Sequence, residues 1–214
     1  MQLKSLYIGK PKQYVYKGKM YTSAISKNSK DQIYLTKGGF QEDGVADHRH
    51  HGGPDRAVCF YPVEHYSQWQ MEFGKDLLRP GFGENVSVAG MLEQDVCIGD
   101  IYKIGEATVQ ISQNRIPCAT ISQHNGIDSL LKRVIETGYT GYFARVLEAG
   151  CISLDAKIHL LDRPEKTATV LAVNQLYFHD RDNQDLLQSV VEIESLAEVM
   201  REKFVKKLKI TLDK

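Results

Sequence analysis

The placement of the glycines constrains the fold of this chain more than any other feature. There are seventeen in 214 residues, and none follows Gly150. Glycine serves tight turns because it alone tolerates left-handed backbone without strain, and it is a poor residue for helix interiors. The chain therefore divides into a turn-rich part up to Asp162 and a helix-rich tail after Arg163-Pro164. The turn-rich part contains short runs of β-branched and aromatic residues at 32–36, 57–61, 85–88, 101–104 and 106–112. In the last run Ala107, Val109 and Ile111 alternate onto one face, the period-two pattern of a strand. Many short strands between Gly-rich turns predict a mainly β fold, a barrel or a sandwich.

Two helices are predicted to interrupt the strands. One has Pro62 in its first turn, carries Tyr66, Trp69 and Phe73 at helical spacing, and ends at Gly74. The other spans 128–136, with Leu130, Leu131, Val134 and Ile135 on one face. The tail predicts three more. Val170, Val173 and Tyr177 mark the first, and Leu186, Leu187, Val190 and Val191 the second. Ser195-Leu-Ala-Glu198 opens the third as a capping box, and it runs on through Val199, Met200 and Phe204. The expected division is a β domain over 1–163 and a three-helix domain over 164–214.

Charge excludes some partners. Twenty-seven basic residues balance 27 acidic ones, so no global positive field recruits nucleic acid. Local basic pockets for a small anion stay open. No apolar run approaches the roughly 18–20 residues of a membrane span, and the first residues show no apolar leader core. Cys59, Cys97, Cys118 and Cys151 lie far apart with no CxxC pair, unlike a zinc knuckle or a disulfide framework. The expectation is a cytoplasmic protein with reduced thiols, no membrane contact, and either a monomeric or a homodimeric state.

Four segments carry chemistry. In Arg115-Ile-Pro-Cys118 the proline blocks both helix and strand continuation, so the thiol is expected on a fixed turn at a strand end. Arg115 is suited to stabilise a thiolate or a bound anion. Cys59, Cys97 and Cys151 sit in apolar stretches and read as small buried hydrophobes. The second segment runs from Asp47 to Arg56 and holds His48, His50 and His51 beside Gly52-Gly53. It fits a zinc hydrolase, although a fourth ligand and a general base are not evident. It fits better a donor-rich loop that lets backbone NH groups approach an anion. A Cys/His nucleophile pair, Cys118 with His51 or His124, is a further reading. The third segment, Gly81-Phe-Gly-Glu-Asn85, implies an unusual turn into a strand. In the fourth, Gly141-Tyr-Phe-Ala-Arg145, an arginine in apolar surroundings calls for a carboxylate or a ligand.

Together these segments resemble the MOSC domain, the C-terminal domain of molybdenum-cofactor sulfurases. The resemblance is carried by Ala46-Asp-His-Arg-His-His-Gly-Gly-Pro-Asp-Arg-Ala-Val58, Tyr61-Pro-Val-Glu-His-Tyr66 with Trp69, and Phe82-Gly-Glu-Asn85. Ile98-Gly-Asp100, Gln113-Asn-Arg-Ile-Pro-Cys118 and Gly141-Tyr-Phe-Ala-Arg145 extend it, in order, over about residues 20–163. The tail makes the chain most similar to the YiiM-like subgroup. Asn114 departs from the family pattern, which often has proline there.

The resemblance implies a MOSC-type β-barrel with a few peripheral helices plus a C-terminal three-helix bundle. It also implies a bound molybdenum cofactor (molybdopterin) with Cys118 as the metal-bound thiolate. The implied cofactor partners are Lys27, His51, Arg56, Asn85, Arg115 and Arg145, and Asp47 or His48 would relay protons. The implied activity is reduction of N-hydroxylated compounds such as hydroxylaminopurines, amidoximes and hydroxylamines, a detoxification and base-analogue-resistance chemistry. The chain has no flavin, iron–sulfur or haem motif, so an external flavoprotein reductase is expected to supply electrons. A non-catalytic carrier of the cofactor or of sulfur is the alternative.

Overall fold

The structure is a computed structural model that describes residues 1–47, 52–180 and 182–212. In chain order the strands begin with β1 (Gln2–Ile8), β2 (Lys12–Tyr16), β3 (Lys19–Ser23), β4 (Asn28–Lys30), β5 (Gln32–Thr36) and β6 (Gly39–Phe40). A 3-10 turn (Pro54–Arg56) precedes β7 (Val58–Pro62), helix α1 (Glu64–Phe73) and β8 (Val86–Ala89). Then come β9 (Ile101–Ile104), β10 (Ala107–Asn114), α2 (Thr120–Asn125), α3 (Leu130–Thr137), β11 (Tyr142–Glu148), β12 (Gly150–Ser153) and β13 (Ile158–Asp162). The tail forms α4 (Val170–Phe178), α5 (Gln184–Val191) and α6 (Glu198–Leu212).

A strand-rich curled sheet in the order β13-β9-β10-β11-β7-β8-β1-β4 makes the frame, and a three-stranded sheet β12-β5-β6 completes the half-barrel. β2 and β3 stand apart as a hairpin. β7 and β8 pair in parallel, which requires a crossover, and α1 provides it. Pro62 is consequently the last residue of β7 rather than the start of a helix. It has no NH to give the ladder, and the NH of the next residue, Val63, bonds the carbonyl of Val88 at 2.8 Å. Gly74 ends α1 as predicted, at φ 67°. β10 is buried beyond the predicted face, because Thr108, Ser112, Gln113 and Asn114 are buried along with Ala107, Val109 and Ile111.

One core runs through the whole chain. Leu6, Phe60, Val86 and Ile111 of the sheet share a hydrophobic cluster with Val173, Leu187, Met200 and Phe204 of the tail helices. The tail therefore closes one side of the curled sheet. A second cluster packs Tyr61, Tyr66, Trp69 and Phe82 against Ile121, Leu130 and Val134, joining α1, α2 and α3. Its buried indole needs a partner, and Trp69 Nε1 donates to Tyr61 Oη at 2.8 Å.

The predicted capping box does not form. α6 starts at Glu198, and Ser195 Oγ is buried with no hydrogen-bond partner. The tertiary fold overrides the local motif in two ways. The Ala197 NH is taken by the Ser112 carbonyl of β10 at 2.8 Å. Arg201 gathers the carbonyls of Val191, Ile193, Glu194 and Leu196. Among the described residues no helix is long and apolar enough to cross a membrane.

Candidate active site

β10 ends at Asn114, paired with Tyr142. The ladder is extended by one bond, from Arg115 N to the Gly141 carbonyl at 3.2 Å. Pro117 has no NH to continue it, and the chain turns, with the Cys118 carbonyl accepting from Ile121 N at 3.2 Å. The turn feeds α2, a helix too short to announce itself in the sequence. Cys118 is thus half-buried at a strand-to-helix corner, as its Pro-Cys context predicted.

That corner faces a cavity of about 360 Å³, lined by Lys27, Asp43, Asp47, Arg56, Asn85, Arg115 and Cys118 among others. Phe40, Phe82 and Phe143 add aromatic wall, and Gly83 and Gly52-Gly53 add bare backbone. Gly83 has φ +71°, and a Cβ there would lie 3.3 Å from Ile25, so the loop can pack this tightly only as glycine. The fold thus gathers six predicted site residues into one concavity: Lys27, Asp47, Arg56, Asn85, Arg115 and Cys118. His48 and His51 lie outside the described residues, as do Arg49 and His50.

Two thiols line the cavity, and their surroundings differ. Cys59 is buried on β7, and burial pushes its pKa up to about 11, which keeps it a neutral thiol. Cys118 is half-buried. Among the described residues no three His, Cys, Asp or Glu side chains converge as a metal-binding group.

The lining divides into an internal ion-pair bracket and outward donors. Asp43 accepts from Lys27 Nζ at 2.5 and 2.7 Å, from Gly9 N at 2.8 Å and from Asn85 Nδ2 at 2.7 Å. Asn85 also donates to the Tyr7 carbonyl at 3.2 Å and accepts from Cys59 N at 3.2 Å. The bracket ties β1, β7 and the loop after β6 together around the cavity. Asp43 was missed in the sequence because it belongs to no motif and acquires its partners only on folding. Arg115 stands outside the bracket. Its Nη1 is buried and has no hydrogen-bond partner, a costly arrangement for a guanidinium unless a ligand supplies the acceptor.

Arg145 is the correction. It does not line this cavity. Its Nε donates to Asp55 Oδ1 at 2.7 Å and its Nη1 to Gln110 Oε1 at 2.9 Å. It borders a second concavity, of 530 Å³, with Lys166, Glu192, Glu194 and Ser195. The register of β11 explains this. Phe143 lines the site, and Arg145 two residues along meets the 3-10 turn that carries Arg56. The carboxylate reading of this arginine is the one realised.

A buried polar chain links the tail to the corner. Asn114 Nδ2 donates to Asn174 Oδ1 at 2.8 Å. Asn174 Nδ2 donates to the Gly138 carbonyl at 2.8 Å and to Thr140 Oγ1 at 2.9 Å. Gly141 N then reaches Glu93 Oε1 at 2.8 Å, and Glu93 Oε2 meets His65 Nε2 at 2.6 Å. The tail also brings Lys203 of α6 into the field of Arg56. Burial first, and the Arg56 charge second, lower the pKa of this lysine.

A family model described as the MOSC domain matches residues 47–159, and one described as the YiiM-like 3-alpha helix domain matches residues 169–210. The chain is 41% identical over 204 residues to the YflK protein of Bacillus subtilis (strain 168), covering 95% of this chain and 92% of that one. It is 38% identical over 160 residues to a protein of Gibberella moniliformis named Reductase, covering 72% of this chain and 28% of that one. The crystal structure of YiiM from Geobacillus stearothermophilus superposes with a TM-score of 0.82 at 33% identity, covering 97% and 98% of the two chains.

Proposed function

Since the chain belongs to the MOSC-domain family, in its YiiM-like subgroup, we propose that it is a molybdenum-cofactor-dependent reductase of N-hydroxylated compounds. The overall reaction is R–NHOH plus two electrons and two protons, giving R–NH2 and water. The reductase name of the fungal relative supports the reaction class. The observation that carries the reading is that the Cys118 thiol and Arg115, whose buried Nη1 has no acceptor among the described residues, line one cavity.

The donor set fits an anionic phosphorylated pterin dithiolene. Cys118 would hold the metal, since a thiolate is a soft donor suited to molybdenum. Arg115, and Arg56 with the field of Lys203 behind it, would take the anionic oxygens, for which guanidinium geometry is well matched. When bound, the group supplies the two-electron oxygen-accepting chemistry. Lys27 and Asn85 shape the floor through Asp43, which is committed to three donors and acts as an internal counter-charge. Asp47 is the other carboxylate among the described lining residues, and it is the group assigned to pass protons to the leaving oxygen. Phe40, Phe82 and Phe143 keep this wall of the cavity apolar.

The test is metal analysis of protein made in a host that synthesises the cofactor, beside Cys118→Ser, with benzamidoxime reduction driven by reduced methyl viologen. The expected result is molybdenum near one atom per chain and turnover in the parent, with both lost in the variant. Molybdenum retained by Cys118→Ser at full turnover overturns the assignment. Cofactor bound without turnover, and passed on to an apoenzyme, would make the protein a carrier.

A further inference from the structure

One wall of the cavity that holds Cys118 is only loosely attached to the body. Thr22 and Ser23 of β3 line that wall, followed by Ala24 and Ile25, while Thr120 and Ile121 of α2 line the part that carries Cys118. β3 belongs to the β2–β3 hairpin, which pairs with no other strand. No residue of β2 or β3 is buried. Among the described residues none of their side chains joins either hydrophobic cluster. A segment with so few buried apolar contacts lies at the low end of local stability.

Within itself the hairpin is stiff. Its loop residues, Lys17 at φ 48° and Gly18 at φ 77°, make the type I′ turn that matches the twist of paired strands. The register places Tyr14 opposite Tyr21, and their rings stack with centroids 5.3 Å apart. On that face Tyr14, Tyr16, Tyr21 and Ser23 are half-buried, with Lys12 and Lys19 exposed at its two ends. Gln13, Val15, Met20 and Thr22 of the other face are all exposed. The tyrosine face is therefore the one turned to the body. Its polar fit is incomplete, because Tyr14 Oη is buried with no hydrogen-bond partner. That destabilises the closed position, and water reaching the hydroxyl on opening would relieve it.

The tip is held by one carboxylate. Tyr16 Oη donates to Asp128 Oδ1 and Lys17 Nζ to Asp128 Oδ2, each at 2.6 Å. Asp128 lies in the link between α2 and α3, so it ties the hairpin to the helix that follows Cys118. The Lys17 and Asp128 side chains are 65% and 68% exposed, and an ion pair in water is weak.

We propose that the β2–β3 hairpin is a flap over the Cys118 cavity, with Asp128 as its latch. Held, it completes the wall at Thr22 and Ser23. Released, it swings as a unit on its two connecting ends and admits larger molecules to Cys118. The inference concerns access alone and goes beyond the reductase reading, since it holds whichever chemistry the cavity performs.

The test is alkylation of Cys118 in the full-length, cofactor-free protein, read peptide by peptide by mass spectrometry. The reagents are small iodoacetamide and bulky fluorescein maleimide. Asp128→Ala should raise the maleimide rate at Cys118 about threefold or more, with a smaller change for iodoacetamide. Hydrogen exchange at residues 12–23 should quicken while that of β10 stays the same. Asp128→Glu keeps a carboxylate and should stay near the parent. Tyr16→Phe combined with Lys17→Met releases the latch from the hairpin side and should match Asp128→Ala, which separates the latch from any local effect of residue 128 on α3. Cys151, half-buried on β12, is the internal control. Unchanged maleimide rates in both latch variants overturn the proposal. An equal rise at Cys151, or a rise at Cys118 without faster exchange in the hairpin, overturns it as well. No turnover is read, so the outcome stands apart from the test of the reductase reading.

Discussion

Replacing Asn174 by leucine should unfasten the helical tail from the Cys118 corner. Asn174 is fully buried on α4 and makes three hydrogen bonds: one from Asn114 Nδ2, one to the Gly138 carbonyl and one to Thr140 Oγ1. Leucine keeps the branching and the number of side-chain heavy atoms, so no cavity opens, and its bulkier methyl groups can only add to the polar loss. Three lost bonds at about 1 kcal/mol each give about 3 kcal/mol. The Gly138 carbonyl keeps its bond from Thr140 N at 2.9 Å, but the Asn114 Nδ2 stays buried without an acceptor, which adds about 1–3 kcal/mol. The Asn114 Oδ1 already has no partner, so this amide would be left with none. The expected loss is about 4–6 kcal/mol, read by urea unfolding monitored by circular dichroism. Asn114→Ala and Asn174→Ala should be non-additive, with a coupling of about 1–2 kcal/mol. A loss below about 1 kcal/mol, or full additivity, would refute the reasoning, because water or a shifted loop would then be satisfying the groups.

Other substitutions probe other links. Gly141→Ala places a Cβ within clash distance of the Phe60 carbonyl at φ +73°, and should cost about 2–4 kcal/mol, visible as a fall in Tm. Lys27→Met strips Asp43 of its cation inside the bracket, where the two side chains are only 6% and 15% exposed. It should cost about 3 kcal/mol or more, partly recovered by adding Asp43→Asn. Burial lowers the pKa of His124 below 6.5, outweighing its bond to the Pro80 carbonyl. Its unfolded form therefore protonates first, so stability present above 6.5 is lost as pH falls. In His124→Gln the slope of Tm against pH below 6.5 should be shallower, and an equal slope would clear this residue.

Much of the site was legible because its residues sit in compact motifs at the ends of strands. Arg115-Ile-Pro-Cys118 revealed its corner through the proline, and Gly81-Phe-Gly-Glu-Asn85 its turn through Gly83. Arg145 was misplaced because a strand puts residues two apart on one face, and only the pairing of β11 decides which neighbours that face meets. Asp43 and Lys203 carried no local signal at all. The Ser195 capping box was a sound local pattern that lost to Ala197 bonding the Ser112 carbonyl.

The sequence by itself determined the punctuation of this protein. Glycine and proline dictate local backbone geometry, so the turn-rich sheet, the helical tail and the corner at Cys118 follow from short stretches of chain. Tertiary structure alone decided which distant segments converge. It joined sheet and tail in one core, made Asp43 the hub of the bracket, and left Arg115 Nη1 buried at the cavity with no acceptor among the described residues. Such contacts depend on the long-range register of strands, which residues close in sequence do not encode.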